Sequence, residues 1–169
     1  MKAKTKNQKH LGSKSPIKGM FRLNIMNPDG SIGGDSGWRY NTIVNGGYQQ
    51  FLMYLLAGSA GSLRPAYAVL GTGTAPNVTD TTLTNQLTET GAKPALTTGT
   101  SGSKTVSYTF TLASGIIAGA SSISNVGLAY YTAASQANAN GTLMAGTTYA
   151  SSSLATNQAV NGTYNIIFG

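Results

Sequence analysis

Residues Thr105–Leu112, with the sequence TVSYTFTL, carry the pattern that decides the fold of this chain. Apolar side chains alternate here with hydroxyl side chains, and successive side chains of a β-strand point to opposite faces of its sheet. The apolar set is Val106, Tyr108, Phe110 and Leu112, and the hydroxyl set is Thr105, Ser107, Thr109 and Thr111. The stretch therefore predicts a half-buried strand whose outer face is lined with hydroxyl groups.

Further strands are predicted on both sides of this one. They are Met20–Met26, Trp38–Val44, Tyr67–Gly71, Ile123–Tyr131, Gly141–Tyr149 and Tyr164–Phe168. Between the first two, Asn27–Gly30 places Pro and Gly at the second and fourth positions of a β-turn. The polar stretch Thr132–Asn140 is predicted to be a loop. Many short strands with glycine-rich turns predict a mainly β fold, an antiparallel β-sandwich or jelly roll.

One amphipathic helix is predicted directly after the second of these strands. Asn45 is a favourable N-cap residue, and Gly58 is a favourable C-terminal stop. The apolar side chains between them recur at helical spacing; they are Tyr48, Phe51, Leu52, Leu55 and Leu56. We expect this stripe to pack on the strand face that carries Val106, Tyr108 and Phe110.

Residues 1–18 lack apolar periodicity and are predicted to form an extended basic N-terminal arm. Six of the eleven basic residues lie in it, without any acidic residue; they are Lys2, Lys4, Lys6, Lys9, Lys14 and Lys18. Residues 19–169 are predicted to form a single β-sandwich domain, so the formal charge of +7 divides into +6 for the arm and +1 for the body. Basic and proline residues interrupt residues 11–19, so we expect no signal peptide.

The composition argues against an enzyme, a cofactor and a metal site. The one histidine, His10, lies in the predicted arm, and the chain has no cysteine. A catalytic triad needs a rigidly held histidine, and zinc sites need clustered nitrogen, sulfur or carboxylate ligands. Asp80 and Glu89 could form an acid/base pair, but solvated loop charges are the preferred interpretation. Gly71–Gly73 is similar to the start of a phosphate-binding loop, but Pro76 follows where a helix should begin.

The low charge density of the chain indicates a covered surface. Charged residues make up 9% of the chain, against about 25% in an average globular protein. A surface covered by neighbouring subunits is preferred over a free surface rich in hydroxyl and amide groups, so we expect a homo-oligomer. The apolar run Phe51–Ala57 is far shorter than the roughly 20 residues of a membrane span, so no membrane partner is expected.

Four segments follow one another in a fixed order between Arg39 and Gly169. They are Tyr40–Gly47, Tyr67–Pro76 with Thr79–Leu83, Ile123–Leu128 and Tyr164–Phe168. In this order the chain resembles a family of small tailed-bacteriophage virion proteins of the tail-collar and head-decoration type. Asn125 departs from that pattern, because such sequences often carry Glu before the Val-Gly-Leu. The resemblance implies a structural role in the virion and no catalytic residues.

The sequence therefore favours a non-enzymatic virion structural protein that is assembled in the host cytoplasm. A capsid decoration or cement protein is the first choice, because the chain is short and has neither a shaft repeat nor coiled-coil heptads. One alternative is a tail, collar or fibre component that contacts the host receptor. A second alternative is a nucleic-acid-binding protein that acts through its basic arm.

The arm is predicted to bind the major capsid protein or a neighbouring subunit. Ordering a residue costs about 1–2 kcal/mol, whereas an isolated surface ion pair contributes about 0–1 kcal/mol. Charge alone therefore does not order the arm, and we expect the partner also to bury Leu11, Pro16 and Ile17. A nonspecific contact with nucleic acid and a merely solubilising tail both stay open.

Overall fold

The computed structural model describes residues 17–50, 64–89, 91–100, 102, 104–117, 121–130 and 142–168. The strands within these ranges form two antiparallel sheets that pack against each other as a β-sandwich. The predicted mainly β sandwich is therefore confirmed. The predicted loop Thr132–Asn140 lies outside the described residues.

The elements of the described residues follow one another along the chain. They are β1 (Ile17–Met26), β2 (Ile32–Asp35), β3 (Arg39–Tyr40), β4 (Thr42–Ile43), α1 (Asn45–Tyr48), β5 (Tyr67–Gly71), β6 (Thr97–Thr100), β7 (Thr105–Leu112), β8 (Ser121–Tyr130), β9 (Thr142–Leu154) and β10 (Ala159–Phe168). Sheet A has the strand order β2-β1-β10-β7-β6, and β3 also pairs with β1. Sheet B has the order β4-β9-β8-β5. Strands β5 and β7 have the predicted bounds, whereas β2 and β6 were not predicted.

The predicted strand Trp38–Val44 is divided between the two sheets. Its first part is β3, which pairs with β1 in sheet A, and its second part is β4, which pairs with β9 in sheet B. Asn41 lies between them, where its N–H donates to Gly19 O at 3.1 Å and its side-chain amide donates to the Tyr164 hydroxyl. These bonds hold the chain in place as it crosses from one sheet to the other.

The predicted β-turn at Asn27–Gly30 is confirmed. The Gly30 N–H donates to Asn27 O at 3.0 Å, and Gly30 has a φ of 83°, which favours glycine. The turn leads into the short edge strand β2, where the sequence pattern had not predicted a strand.

The main core lies between the two sheets. Phe21 of β1 and Tyr149 of β9 meet edge to face, with ring centroids 5.9 Å apart. Gly162 of β10 pairs with Phe110 of β7, and a Cβ atom at this glycine would overlap the Phe110 ring. The missing side chain therefore lets the buried ring lie across the neighbouring strand.

Sheet B is also buried on its outer face. A second apolar cluster lies there, formed by Val44, Val69, Leu83, Ala129 and Leu143. The loop that follows β5 covers this face and is held by side chains of β8. Asn125 donates to Thr74 O at 3.1 Å and to Thr84 O at 3.0 Å, and Ser124 donates to Gly73 O at 2.9 Å.

The helix begins one residue earlier than its predicted N-cap, Asn45, implied. Val44 is the N-cap and keeps an extended backbone, because its N–H donates to Met144 O at 3.1 Å. Asn45 is the first helical residue and makes no capping bond, which corrects the prediction. This first turn contacts β9 in sheet B. The remaining predicted helix residues, Phe51, Leu52, Leu55, Leu56 and Gly58, lie outside the described residues, so their packing on β7 stays a prediction.

Candidate partner-binding surface

The predicted basic arm joins the body at the first residue of β1. Ile17 is 4% exposed, pairs with Phe168 and belongs to the core between the sheets, whereas Lys18 is exposed. The strand pattern already begins at Ile17, so the predicted boundary after residue 18 falls inside β1. Ile17 is buried by its own body, which corrects its predicted burial by a partner. The other predicted arm residues lie outside the described ranges; they are Lys2, Lys4, Lys6, Lys9, Leu11, Lys14 and Pro16.

An open groove lies beside this junction, where the chain crosses from β3 to β4. We call it the crossover groove, and its volume is about 300 Å³. It is lined by Ile17, Lys18, Gly19, Tyr40, Asn41, Thr42, Ile43, Tyr48 and Val78. Most of these lining residues are apolar or aromatic, so the groove can accept an apolar side chain.

Two apolar side chains of the groove are exposed. Tyr40 is 70% exposed, and Val78 is 54% exposed. Both are held by backbone contacts: Tyr40 pairs with Met20 of β1, and Val78 O accepts the Asn45 N–H at 2.7 Å. Covering exposed apolar surface is favourable by roughly 25 cal/mol per Å². The groove is therefore a preformed surface on which a partner can bury apolar groups.

Three basic residues lie near the groove in the sequence or in sheet A, and one of them, Lys18, lines it. Lys104 O accepts the Phe168 N–H at 2.8 Å at the same end of sheet A, and Arg39 precedes Tyr40. The nearest acidic residue in sequence to Val78 is Asp80, whose carboxylate accepts the Asn77 N–H at 2.8 Å within its own turn. A partner that enters the groove therefore meets the Lys18 ammonium group, while Asp80 stands two residues after Val78.

Farther along β1, an exposed ion pair ties the edge strand β2 to the sheet. The Arg22 guanidinium donates to both carboxylate oxygens of Asp35, with Nε 2.9 Å from Oδ1. This hydrogen bond, together with one from the Gly37 N–H, lowers the pKa of Asp35 to about 2. Arg22 is engaged by Asp35, whereas Lys18, the other basic residue of β1, lies at the groove end.

The outer face of sheet A is polar, as the alternation in Thr105–Leu112 predicted. A shallow depression of about 390 Å³ lies on it, lined by Ala95, Thr97, Thr109, Phe110, Thr111, Asn161, Gly162 and Thr163. These lining residues carry no charge. Thr111 donates to the Asn161 side chain at 2.8 Å, and Ser107 donates to that of Asn165 at 2.7 Å. The face can offer hydrogen bonds to a neutral polar partner.

The two loop carboxylates, which were expected to be solvated charges, lie in separate turns. Both Asp80 and Glu89 are half-buried, and Glu89 Oε2 is buried without a hydrogen-bond partner in the described part of the chain. Their backbones belong to separate turns, closed by Asp80 N–H to Asn77 O at 3.1 Å and by Ala92 N–H to Glu89 O at 3.0 Å. The preferred interpretation as solvated charges is therefore corrected for Glu89, whereas for Asp80, whose hydrogen bond from the Asn77 N–H is exposed, it stays a prediction.

The glycine-rich segment after β5 serves to cover sheet B. Gly73 O accepts the Ser124 hydroxyl, and the Thr72 N–H donates to Asn85 O at 3.2 Å. A phosphate-binding loop needs free N–H groups at the start of a helix.

Across the ranges that the structure describes, no three acidic or histidine side chains lie together so that they could hold a metal ion.

Comparisons of the chain with protein-family models, with curated proteins and with solved structures found no match. Within the described ranges, no helix has both the length and the apolar character that crossing a membrane requires. Because none of the comparisons found a match, the resemblance to virion proteins stays a prediction from the sequence.

Apart from Ile17 and Lys18, which were assigned to the basic arm, the residues of the crossover groove were not predicted as a site. Tyr40 and Val78 each stand between polar neighbours, Arg39 and Asn41 in one case and Asn77 and Thr79 in the other. An isolated apolar residue in a polar stretch is the available sequence signal. It does not reveal that both residues meet at the same groove, because they are far apart in the chain.

Proposed function

We propose that this chain is a non-enzymatic structural protein of a bacteriophage virion that decorates the capsid. In this proposal it attaches through its body and its basic N-terminal arm, and neighbouring copies pack beside it. The observation that carries the proposal is the junction of the arm with β1. The arm continues directly from a strand of the core, beside an exposed apolar groove.

The position of β1 suits a point of attachment. It pairs with β10 from Ile17 to Met26, and on its other edge it pairs with β2 and β3. A force on the arm is therefore distributed over hydrogen bonds in the middle of sheet A. An arm joined to a surface loop would transmit such a force to far fewer bonds.

The assignment to a phage virion is supported by the four ordered segments that resemble virion proteins. The uncharged depression on the outer face of sheet A is also consistent with a body that packs beside other subunits, since a free surface usually carries more charge. The same face favours the alternative role in a tail, collar or fibre, because its hydroxyl and amide groups could bind a neutral receptor.

The test is incorporation into purified virions of the phage that encodes the chain. We expect mass spectrometry to detect the protein at a fixed ratio to the major capsid protein, and electron microscopy to locate it on the head. Deleting residues 1–16, which leaves Ile17 in place, should keep the body folded and weaken incorporation. A matched control keeps the arm length and replaces Lys2, Lys4, Lys6, Lys9 and Lys14 with Gln.

The outcomes separate the candidate functions. Absence of the chain from purified virions would contradict the proposal, and a location on the tail would favour the receptor-contacting alternative. Binding to nucleic acid that weakens steeply with salt, without binding to particles, would favour the third function.

A further inference from the structure

We propose that the crossover groove binds a segment of another virion protein that inserts an apolar side chain and carries acidic residues beside it. This inference rests on the proposed function and names the partner and the surface through which the body attaches. The site consists of Tyr40 and Val78 as the apolar contacts and Lys18 as the charged one.

The apolar part of the site is preformed. Tyr40 and Val78 are both more than half exposed, and each is held by a backbone contact to a neighbouring element. Binding to side chains on a fixed backbone costs less conformational entropy than binding to a mobile loop. The groove volume of about 300 Å³ suits the anchoring side chain of a peptide segment and lies at the lower limit of small-molecule sites.

The charge of the site selects an acidic partner. The chain has no acidic residue before Asp29, and five lysines precede Ile17. An acidic segment in the groove would therefore interact favourably with both Lys18 and the arm.

The same charges argue against a second copy of the arm as the occupant. That arm carries lysines around its apolar Leu11, so it would bring like charges to Lys18. Nucleic acid would interact with the lysines, but it would not require an aliphatic contact at Val78. An acidic protein segment is the occupant that uses both the apolar and the basic parts of the groove.

The experiment measures binding of the full chain to particles assembled without it. Val78→Glu places a negative charge in the groove at an exposed position, so we expect an intact fold and an affinity reduced about tenfold or more. Ile32→Glu is the matched control, because Ile32 is 60% exposed and lies on β2 opposite Met26. It is thus about 30 Å from Ile17 along β1, and we expect unchanged binding.

Circular dichroism and thermal unfolding verify that both variants are folded. The proposal is supported if Val78→Glu alone loses affinity, if Lys18→Gln loses less, and if Ile32→Glu binds like the wild type. It is overturned if both glutamate variants bind like the wild type while deletion of residues 1–16 abolishes binding. In that case the arm carries the attachment, and the proposed function stands.

Two further outcomes also contradict the inference. If Val78→Glu changes the oligomeric state of the free chain and leaves particle binding intact, the groove is a contact between copies. If the wild-type chain binds neither particles nor purified virions, the proposed function fails together with the inference.

Discussion

The two sheets of this sandwich differ in what covers their outer faces. Sheet A has a buried inner face and a polar outer face, so β7 and β10 alternate along their length. Sheet B is buried on both faces, because the loop after β5 covers the cluster around Val69 and Leu143. Sheet A therefore offers a free polar surface to partners, whereas the outer surface of sheet B belongs to the core.

This difference is visible in the sequence patterns of individual strands. A strand with one solvated face shows strict alternation, whereas a strand buried on both faces does not. In β8, the sequence SSISNVGLAY places small, polar and apolar residues without a period of two. Its polar Asn125 is fully buried because it binds the loop that covers the sheet.

The largest expected effect comes from the outer face of sheet B. Leu143 is 1% exposed, so Leu143→Ala should lower the free energy of unfolding by about 2–5 kcal/mol. Thr109→Ala, at an exposed position on the outer face of sheet A, should change it by no more than about 0.5 kcal/mol. Chemical denaturation measures both. Equal costs at the two positions would contradict the difference between the sheets.

A second prediction concerns the buried amide that holds the covering loop. Asn125→Asp removes both N–H donors and leaves Thr74 O and Thr84 O unsatisfied, so it should cost about 2–3 kcal/mol at neutral pH. Burial raises the pKa of a carboxyl group, so this cost should decrease as the pH is lowered and the new carboxyl protonates. Denaturation at several pH values measures the change.

Asn161→Asp on sheet A is the matched control for this substitution. The Asn161 side-chain oxygen accepts the Thr111 hydroxyl, and a carboxylate can keep that bond. Asn161→Asp should therefore lower the free energy of unfolding much less than Asn125→Asp does. An equal cost for both variants would show that the buried amide has no special role in holding the loop.

The core shared by the two sheets predicts a limit at alkaline pH. Burial raises the pKa of Tyr149 on β9 and of Tyr164 on β10. Unfolded tyrosines ionise near pH 10, so above about pH 10 each buried tyrosine should lower the stability by up to about 1.4 kcal/mol per pH unit. Tyrosinate absorbance, followed together with circular dichroism, measures the effect. Full ionisation of both residues with the fold intact would contradict their burial.

The smallest effect is expected at the exposed edge of sheet A. Arg22 lowers the pKa of Asp35 to about 2. The contribution of Asp35 to the free energy of unfolding is therefore complete above the ordinary pKa of an aspartate side chain. This contribution should be lost between about pH 4 and about pH 2. Because the pair is solvent-exposed, the loss should be small. Asp35→Asn should make the unfolding midpoint less sensitive to pH in this window, and an unchanged pH dependence would contradict the prediction.

Much of the fold could be predicted from local patterns. The alternation in Thr105–Leu112 and the short apolar run Tyr67–Gly71 match β7 and β5, and the turn at Asn27–Gly30 has its predicted hydrogen bond. The division of Trp38–Val44 could not be predicted in this way. It depends on Asn41 meeting Gly19 and Tyr164, which are distant in sequence.

The candidate site was only partly predictable. The concentration of lysines before Ile17 is a property of the sequence, and it predicts the region of attachment that we propose. The groove beside it was not predicted, because Tyr40 and Val78 come together only through the pairing of β3 with β1 and the bond from Asn45 to Val78.

The sequence by itself determined the mainly β class, the strand with a hydroxyl-lined face and the division of charge between arm and body. Each of these follows from residues that are close together in the chain, through the period of two or through simple composition. Only the tertiary structure decided that sheet B is covered on both faces, that β1 begins at Ile17 and that a groove opens at the crossing between the sheets. These features depend on contacts between distant segments, and local patterns carry no information about which distant segments meet.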